Sequence, residues 1–167
     1  HDVPVLGAFA TLPPITGVVV LVRHAHAGTR EAWGGPDTAR PLDAAGLRRA
    51  NDLADLLVWF APERLASAAP YRCVQTLVPF AALVGQPIEI DACFDEGADP
   101  AAAATRLREL GAGGRSTVVC SQGGLIPAAL AELTGGSAAA FTTPKGAGWV
   151  LSFTGSRPVR VDGLPRP

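Results

Sequence analysis

Three short segments of this 167-residue chain carry residue types that can hold and attack a phosphoryl group. They are Arg23-His24-Ala25-His26, Pro70-Tyr71-Arg72 and Ser121-Gln122-Gly123-Gly124. A guanidinium fork matches phosphate oxygens in pairs. A glycine-flanked helix start offers free backbone N–H groups and positive potential to an anion. A neutral imidazole beside that anion keeps a lone pair with which to attack phosphorus. Any one of these residues alone is an ordinary surface or structural group. Their common position, each just past a strand-like run, is what makes them a set.

Those runs supply the scaffold. Val18 to Val22 is a continuous, mostly β-branched stretch, the pattern of a strand buried on both faces. Arg64 to Ala68, Pro87 to Ile90 and Thr117 to Ser121 read as further strands, and Gly148 to Phe153 with Arg157 to Val161 as a closing hairpin. Between them the spacing predicts helices from Ala44 to about Phe60, capped by Asp43, and from Tyr71 to Val84, which Pro79 should kink or divide. Two more are expected over Pro100 to Leu110 and Gly124 to Leu133. Strands alternating with helices imply an α/β fold with a mainly parallel sheet covered on both faces. Ligands bind such sheets where strands end and helices begin, so the three segments should meet at one edge.

Composition removes several alternatives. The net charge of −1 gives no sign of a nucleic-acid polymer or an anionic membrane as partner. The three cysteines, Cys73, Cys93 and Cys120, lie at scattered spacings among apolar residues and fit a reduced, cytoplasmic chain rather than a disulfide framework. No metal-ligand cluster is expected, and the apolar run ending at Arg23 is too short to span a bilayer. The chain lacks methionine, and residues 1–17 contain Pro4, Pro13 and Pro14 among small residues. Together these predict a linker over 1–17 from an upstream domain, followed by one domain over 18–167.

The motifs resemble those of the histidine phosphatase superfamily, whose fold is phosphoglycerate-mutase-like. Val22-Arg23-His24-Ala25 resembles its Arg-His-Gly signature, and Arg40-Pro41-Leu42-Asp43-Ala44-Ala45-Gly46 its Pro-Leu-Thr-x-x-Gly block. Ala69 to Thr76 is similar to the Ser-Pro-x-x-Arg-x-x-Gln-Thr block, with Arg72 one place early. Val118 to Gly124 is similar to the Val-x-Ser-His-Gly strand. The resemblance implies a three-layer α/β/α fold, His24 as nucleophile and Arg23 with Arg72 as phosphate clamps. It implies Glu96, in Phe94-Asp95-Glu96-Gly97, as proton donor. Gln122 and Gly123 would complete the phosphate site, with His26 and Trp33 as possible substrate contacts. Gln122 stands where the family has a second histidine. An amide donates hydrogen bonds but carries no charge, and losing a preorganised donor to developing charge costs ~3 kcal/mol, a factor of about 10²–10³. Ala25 replaces the usual glycine, a restriction if the backbone needs a positive φ there.

The short connection between Arg23-His24 and Pro41-Leu42 resembles the compact SixA-type phosphohistidine phosphatases. The Pro-rich leader, the missing second histidine and the Ala/Gly/Arg-rich composition resemble the C-terminal half of actinobacterial MutT-type proteins that fuse a Nudix domain to a SixA-like domain. That resemblance implies a phosphate-containing small molecule as ligand, an oxidised guanine nucleotide or a dinucleoside polyphosphate. It implies a Nudix partner domain, in cis or in a neighbouring molecule, that alone would hold Mg²⁺, and no cofactor here. A freestanding SixA-type phosphatase and a non-catalytic docking module are the alternatives.

Overall fold

The computed structural model describes residues 13–165. Six strands form one sheet in the order β3-β2-β4-β1-β5-β6. They are β1 (Gly17–Arg23), β2 (Arg64–Ser67), β3 (Ile88–Ile90), β4 (Ser116–Ser121), β5 (Gly148–Thr154) and β6 (Arg157–Gly163). The first four are parallel, and β5 and β6 form an antiparallel hairpin beside β1. The helices are α1 (Ala44–Leu57), α2 (Tyr71–Val84), α3 (Pro100–Ala112) and α4 (Leu125–Thr134). Helix α1 packs against α2, and α3 against α4. The result is a three-layer α/β/α fold with a mostly parallel sheet.

The central strands explain why the molecule holds together. Val19 to Val22 and Val118 to Cys120 are almost wholly buried. Their neighbours include Leu53, Leu57, Leu77 and Phe80 from α1 and α2, and Leu107, Leu110, Ile126 and Leu130 from α3 and α4. Burying each such side chain stabilises the fold by about 1.5–3 kcal/mol before chain entropy is counted.

Three expectations need adjusting. Strand β1 starts at Gly17, and Thr16 donates its N–H to Phe153 O at 2.8 Å. Residues 16 and 17 therefore sit on the sheet, whereas most of the proposed linker, 1–12, lies outside the described residues. Helix α2 runs through Pro79 as one element, so the proline does not divide it. Helix α1 ends at Leu57, and a 3₁₀ turn carries the chain on to Phe60.

Register decides what meets at the top of the sheet. In the β1–β4 ladder, Arg23 lies opposite Ser121, and His24 N–H continues it to Ser121 O at 3.1 Å. In the β2–β4 ladder, Ser67 lies opposite Cys120, and Ala68 N–H reaches Cys120 O. The segments after β1, β2 and β4 thus leave the sheet side by side.

Candidate active site

A polar cleft of about 360 Å³ opens at this edge. Arg23, His24, Arg72, Glu96, Gln122 and Gly123 all line it, together with Arg30, Arg40 and Lys145. Six of the eight site residues singled out in the sequence therefore converge.

His24 is 5% exposed. Its Nδ1 lies 2.7 Å from Ala25 O. A carbonyl oxygen only accepts, so Nδ1 carries the proton and the lone pair is left on Nε2. Burial, more than the nearby Arg72, Arg23 and Lys145, lowers the His24 pKa to about 4. At neutral pH the ring is uncharged, as a nitrogen nucleophile must be.

The two arginines are held differently. Arg72 is 3% exposed at the start of α2. Its Nη1 donates to Asp37 O at 2.8 Å and lies 3.2 Å from Asp37 Oδ2. Its Nη2 meets Gln122 Oε1 at 3.2 Å and Glu96 Oε2 at 3.3 Å. The Arg23 side chain makes one hydrogen bond, from Nη1 to Thr143 O at 2.9 Å. Gly123 is there because Arg23 is: a Cβ at that position would overlap the guanidinium. The early placement of Arg72 in its motif does not remove it from the cleft.

Three buried polar atoms in the described residues have no hydrogen-bond partner: Arg23 Nε, Arg72 Nε and Gln122 Nε2. All three are donors, and all three belong to cleft residues. Arginine has no acceptor, so Gln122 must turn Oε1 toward Arg72 and leave its NH₂ free. Buried unpaired donors are rare in native proteins because each costs about 1–3 kcal/mol. Three sharing one cleft fit an anion with several acceptor oxygens. Gly123 and Gly124, just before α4, line the cleft as well, whereas the N–H groups of Leu125 and Ile126 already donate to Gln122 O.

Other motif residues act as braces. Thr76 Oγ1 accepts from Ala25 N–H at 3.0 Å and donates to Arg72 O at 2.7 Å, tying both segments together. Gln75 Oε1 accepts from Leu42 N–H. Gly46 lets α1 approach the carbonyl of His26, where a Cβ would overlap the oxygen. Ala25 does not have a positive φ, so its side chain imposes no strain there. Asp95 and Glu96 divide their roles: Asp95 Oδ1 accepts from Ala69 N–H at 2.7 Å, while Glu96 faces the cleft.

Two residues expected as possible substrate contacts lie outside this cleft. His26 points away from the cleft; its Nδ1 lies 2.6 Å from Asp43 Oδ2, at the N-terminus of α1. Asp43 caps that helix through Gly46 N–H, which with His26 holds its pKa down to about 2. The capping carboxylate draws the imidazole out of reach. Trp33 also misses the cleft and lines a neighbouring groove. The sequence reading in turn missed Asp37. Its carboxylate meets Arg30 at 3.0 Å, Arg40 at 2.9 Å and Arg72 at 3.2 Å, which keeps it well below the usual carboxylate range. It sits in an aperiodic Gly/Pro-rich loop with no pattern to flag it. Lys145 had a weak signal as the only lysine in the chain.

Among the described residues no group of three or more His, Cys, Asp or Glu side chains could hold a metal ion. No helix in the described residues is long and apolar enough to cross a membrane.

Residues 19–98 match the model of the histidine phosphatase superfamily (branch 1). The chain is 34% identical over 179 residues to the 8-oxo-(d)GTP phosphatase of Mycolicibacterium smegmatis (strain ATCC 700084 / mc(2)155). That match takes in 99% of this chain but 53% of the relative, so the chain spans about half of that protein's length. Among solved structures, the protein histidine phosphatase SixA complexed with tungstate superposes with a TM-score of 0.74 at 21% identity, over 87% of this chain and 94% of that one. The mycobacterial glucosyl-3-phosphoglycerate phosphatase, complexed with VO3, gives 0.70 at 18% identity, over 88% and 98%. These two likenesses establish the fold.

Proposed function

We propose that this chain is a domain of the histidine phosphatase superfamily, whose model residues 19–98 match, and that it binds the phosphoryl group of a nucleoside phosphate or dinucleoside polyphosphate and turns it over slowly through His24. The observation that carries this reading is the cluster of three unpaired donors, Arg23 Nε, Arg72 Nε and Gln122 Nε2, beside an uncharged histidine. Nucleotide chemistry, with oxidised guanine as the base, is supported by the 34% identity to a protein named 8-oxo-(d)GTP phosphatase. A MutT-type Nudix domain, in cis or from a neighbouring molecule, would act on the same nucleotides and supply the Mg²⁺-dependent step.

In the proposed reaction His24 Nε2 forms a bond to phosphorus while the bond to the leaving oxygen breaks. Glu96 gives that oxygen its proton. A water then takes the phosphoryl group from the histidine and returns a proton to Glu96. Arg23 and Arg72 offset charge on the phosphoryl oxygens throughout. Gln122 donates from its amide but supplies no positive charge, which slows the chemical step more than it weakens binding.

Calorimetry tests the reading with inorganic phosphate, a guanine nucleotide and a dinucleoside polyphosphate. Wild type should bind in the millimolar range or tighter, and Arg72→Ala should lose about ten- to a hundredfold because charge-assisted bonds contribute ~1.5–3 kcal/mol each. Arg72→Lys should recover little of it. Equal binding by Arg72→Ala and wild type removes the proposal and leaves the docking-module alternative.

A further inference from the structure

The groove beside the cleft has the opposite character. It holds about 160 Å³ and is walled by Ala27, Ala32, Trp33, Pro41 and Leu42, with Asp43 at its margin. Gly28, Thr29 and Arg40 line both cavities, so the two adjoin. We propose that this groove is the subsite for the planar aromatic base of a phosphorylated ligand whose phosphoryl group occupies the cleft. The inference rests on the phosphoryl-binding reading above and adds which end of the ligand lies where.

Two walls are fixed in advance. The Trp33 indole donates from Nε1 to Pro36 O at 2.9 Å. It also lies over Gly35, where a Cβ would come within 3.1 Å of the ring. Glycine at that position lets the loop lie flat against the indole. The ring is nonetheless 37% exposed, so one apolar surface is left to solvent. Arg40 is held at three points. Its Nε donates to Asp37 Oδ1 at 2.9 Å, and its Nη1 to Ala27 O at 2.7 Å and Gly28 O at 3.4 Å. A locked guanidinium plane and a locked indole are the surfaces on which bases stack, and neither loses much freedom when a base arrives.

The same ties connect the two ends of the ligand. Asp37 binds Arg40 through Oδ1 and Arg72 through Oδ2 and its carbonyl oxygen. One loop residue therefore sets the wall of the groove and the clamp of the cleft together. A ligand with both a phosphoryl group and an aromatic ring gains from both sites. A phosphorylated sugar gains from the cleft alone.

The test compares inorganic phosphate, ribose 5-phosphate and guanosine 5′-monophosphate by calorimetry on the whole chain. Guanosine 5′-monophosphate should bind wild type about tenfold more tightly than ribose 5-phosphate, in the range expected for one stacked base. Trp33→Ala should abolish that difference and leave the affinities for phosphate and ribose 5-phosphate unchanged. Trp33→Phe should restore most of it. Equal binding of the two monophosphates by wild type, with phosphate binding still dependent on Arg72, overturns the subsite and spares the cleft. A Trp33→Ala variant that weakens inorganic phosphate as much as the nucleotide also overturns it, since Trp33 then only supports the loop. Failure of inorganic phosphate to bind wild type overturns both readings.

Discussion

The cleft at the top of β1 and a larger cavity beside β6 are both lined by arginines, yet only one has the chemistry of a site. The cavity beside β6 holds about 720 Å³, twice the cleft, and contains Arg108, Arg157 and Arg160. Arg108 donates to the last carbonyls of α4, Glu132 O and Leu133 O. Arg160 pairs with Asp162, and Arg157 is exposed to water. None of these arginines is among the buried side chains left without a partner in the described residues. In the cleft, by contrast, Arg72 and Gln122 are almost wholly buried and still hold a free donor each. Size points to the wrong cavity, and arginines line both. Desolvated donors distinguish the two, because an anion that reaches them recovers a cost already incurred in folding.

Four changes would break or sharpen this contrast. The largest effect is expected from Gln122→His. If the cleft is a reaction site lacking only a charged donor, hydrolysis of an aryl phosphate should rise by about 10²–10³. No rise, with phosphate binding intact, would mean that His24 is not placed for attack.

The second effect is on stability. The His24 pKa falls from an ordinary 6.5 to about 4 on folding. The unfolded chain therefore takes up a proton first as the pH drops. Full stability holds above about 6.5 and is lost progressively toward pH 4, by up to about 3 kcal/mol, roughly a hundredfold in the folding equilibrium. Urea melts of wild type and His24→Asn between pH 7 and 4 would read this; the variant should lose that much of the pH dependence. Identical slopes would place the imidazole in a more polar environment than the cleft provides. Variants of the cavity beside β6 should leave the slope untouched, since its arginines do not titrate in that range.

Third in size is a pH–rate profile. With His24 uncharged down to about pH 4, the acid limb of kcat/KM should not fall near 6.5. A limb centred at 6.5 would mean that the buried His24 imidazole is not the nucleophile.

The smallest effect belongs to the control. The double variant Arg157→Ala/Arg160→Ala should change phosphate affinity by less than about twofold, because exposed, screened charges contribute little. A loss as large as that of Arg72→Ala would erase the distinction between the two cavities.

Residue types and their order by themselves determined the strand and helix sequence, the edge at which the site forms and five of its residues; the family resemblance added Glu96. β-branched runs, an aspartate cap and glycine at helix starts are local signals, and local propensity agrees with the fold at each of them. The missing charge at Gln122 was legible only through the family resemblance, which puts a histidine at that position. Partnership was not legible. His24 and His26 are two positions apart and of one type, yet one is buried with its lone pair free and the other is bound to a helix cap. Only the approach of α1, across Gly46, decides between them. Asp37 could not be found from sequence at all, because its three arginine partners are up to 35 residues away and meet it only when the sheet has set their directions. Tertiary structure decided which donors were left unpaired, because burial depends on what every other element covers.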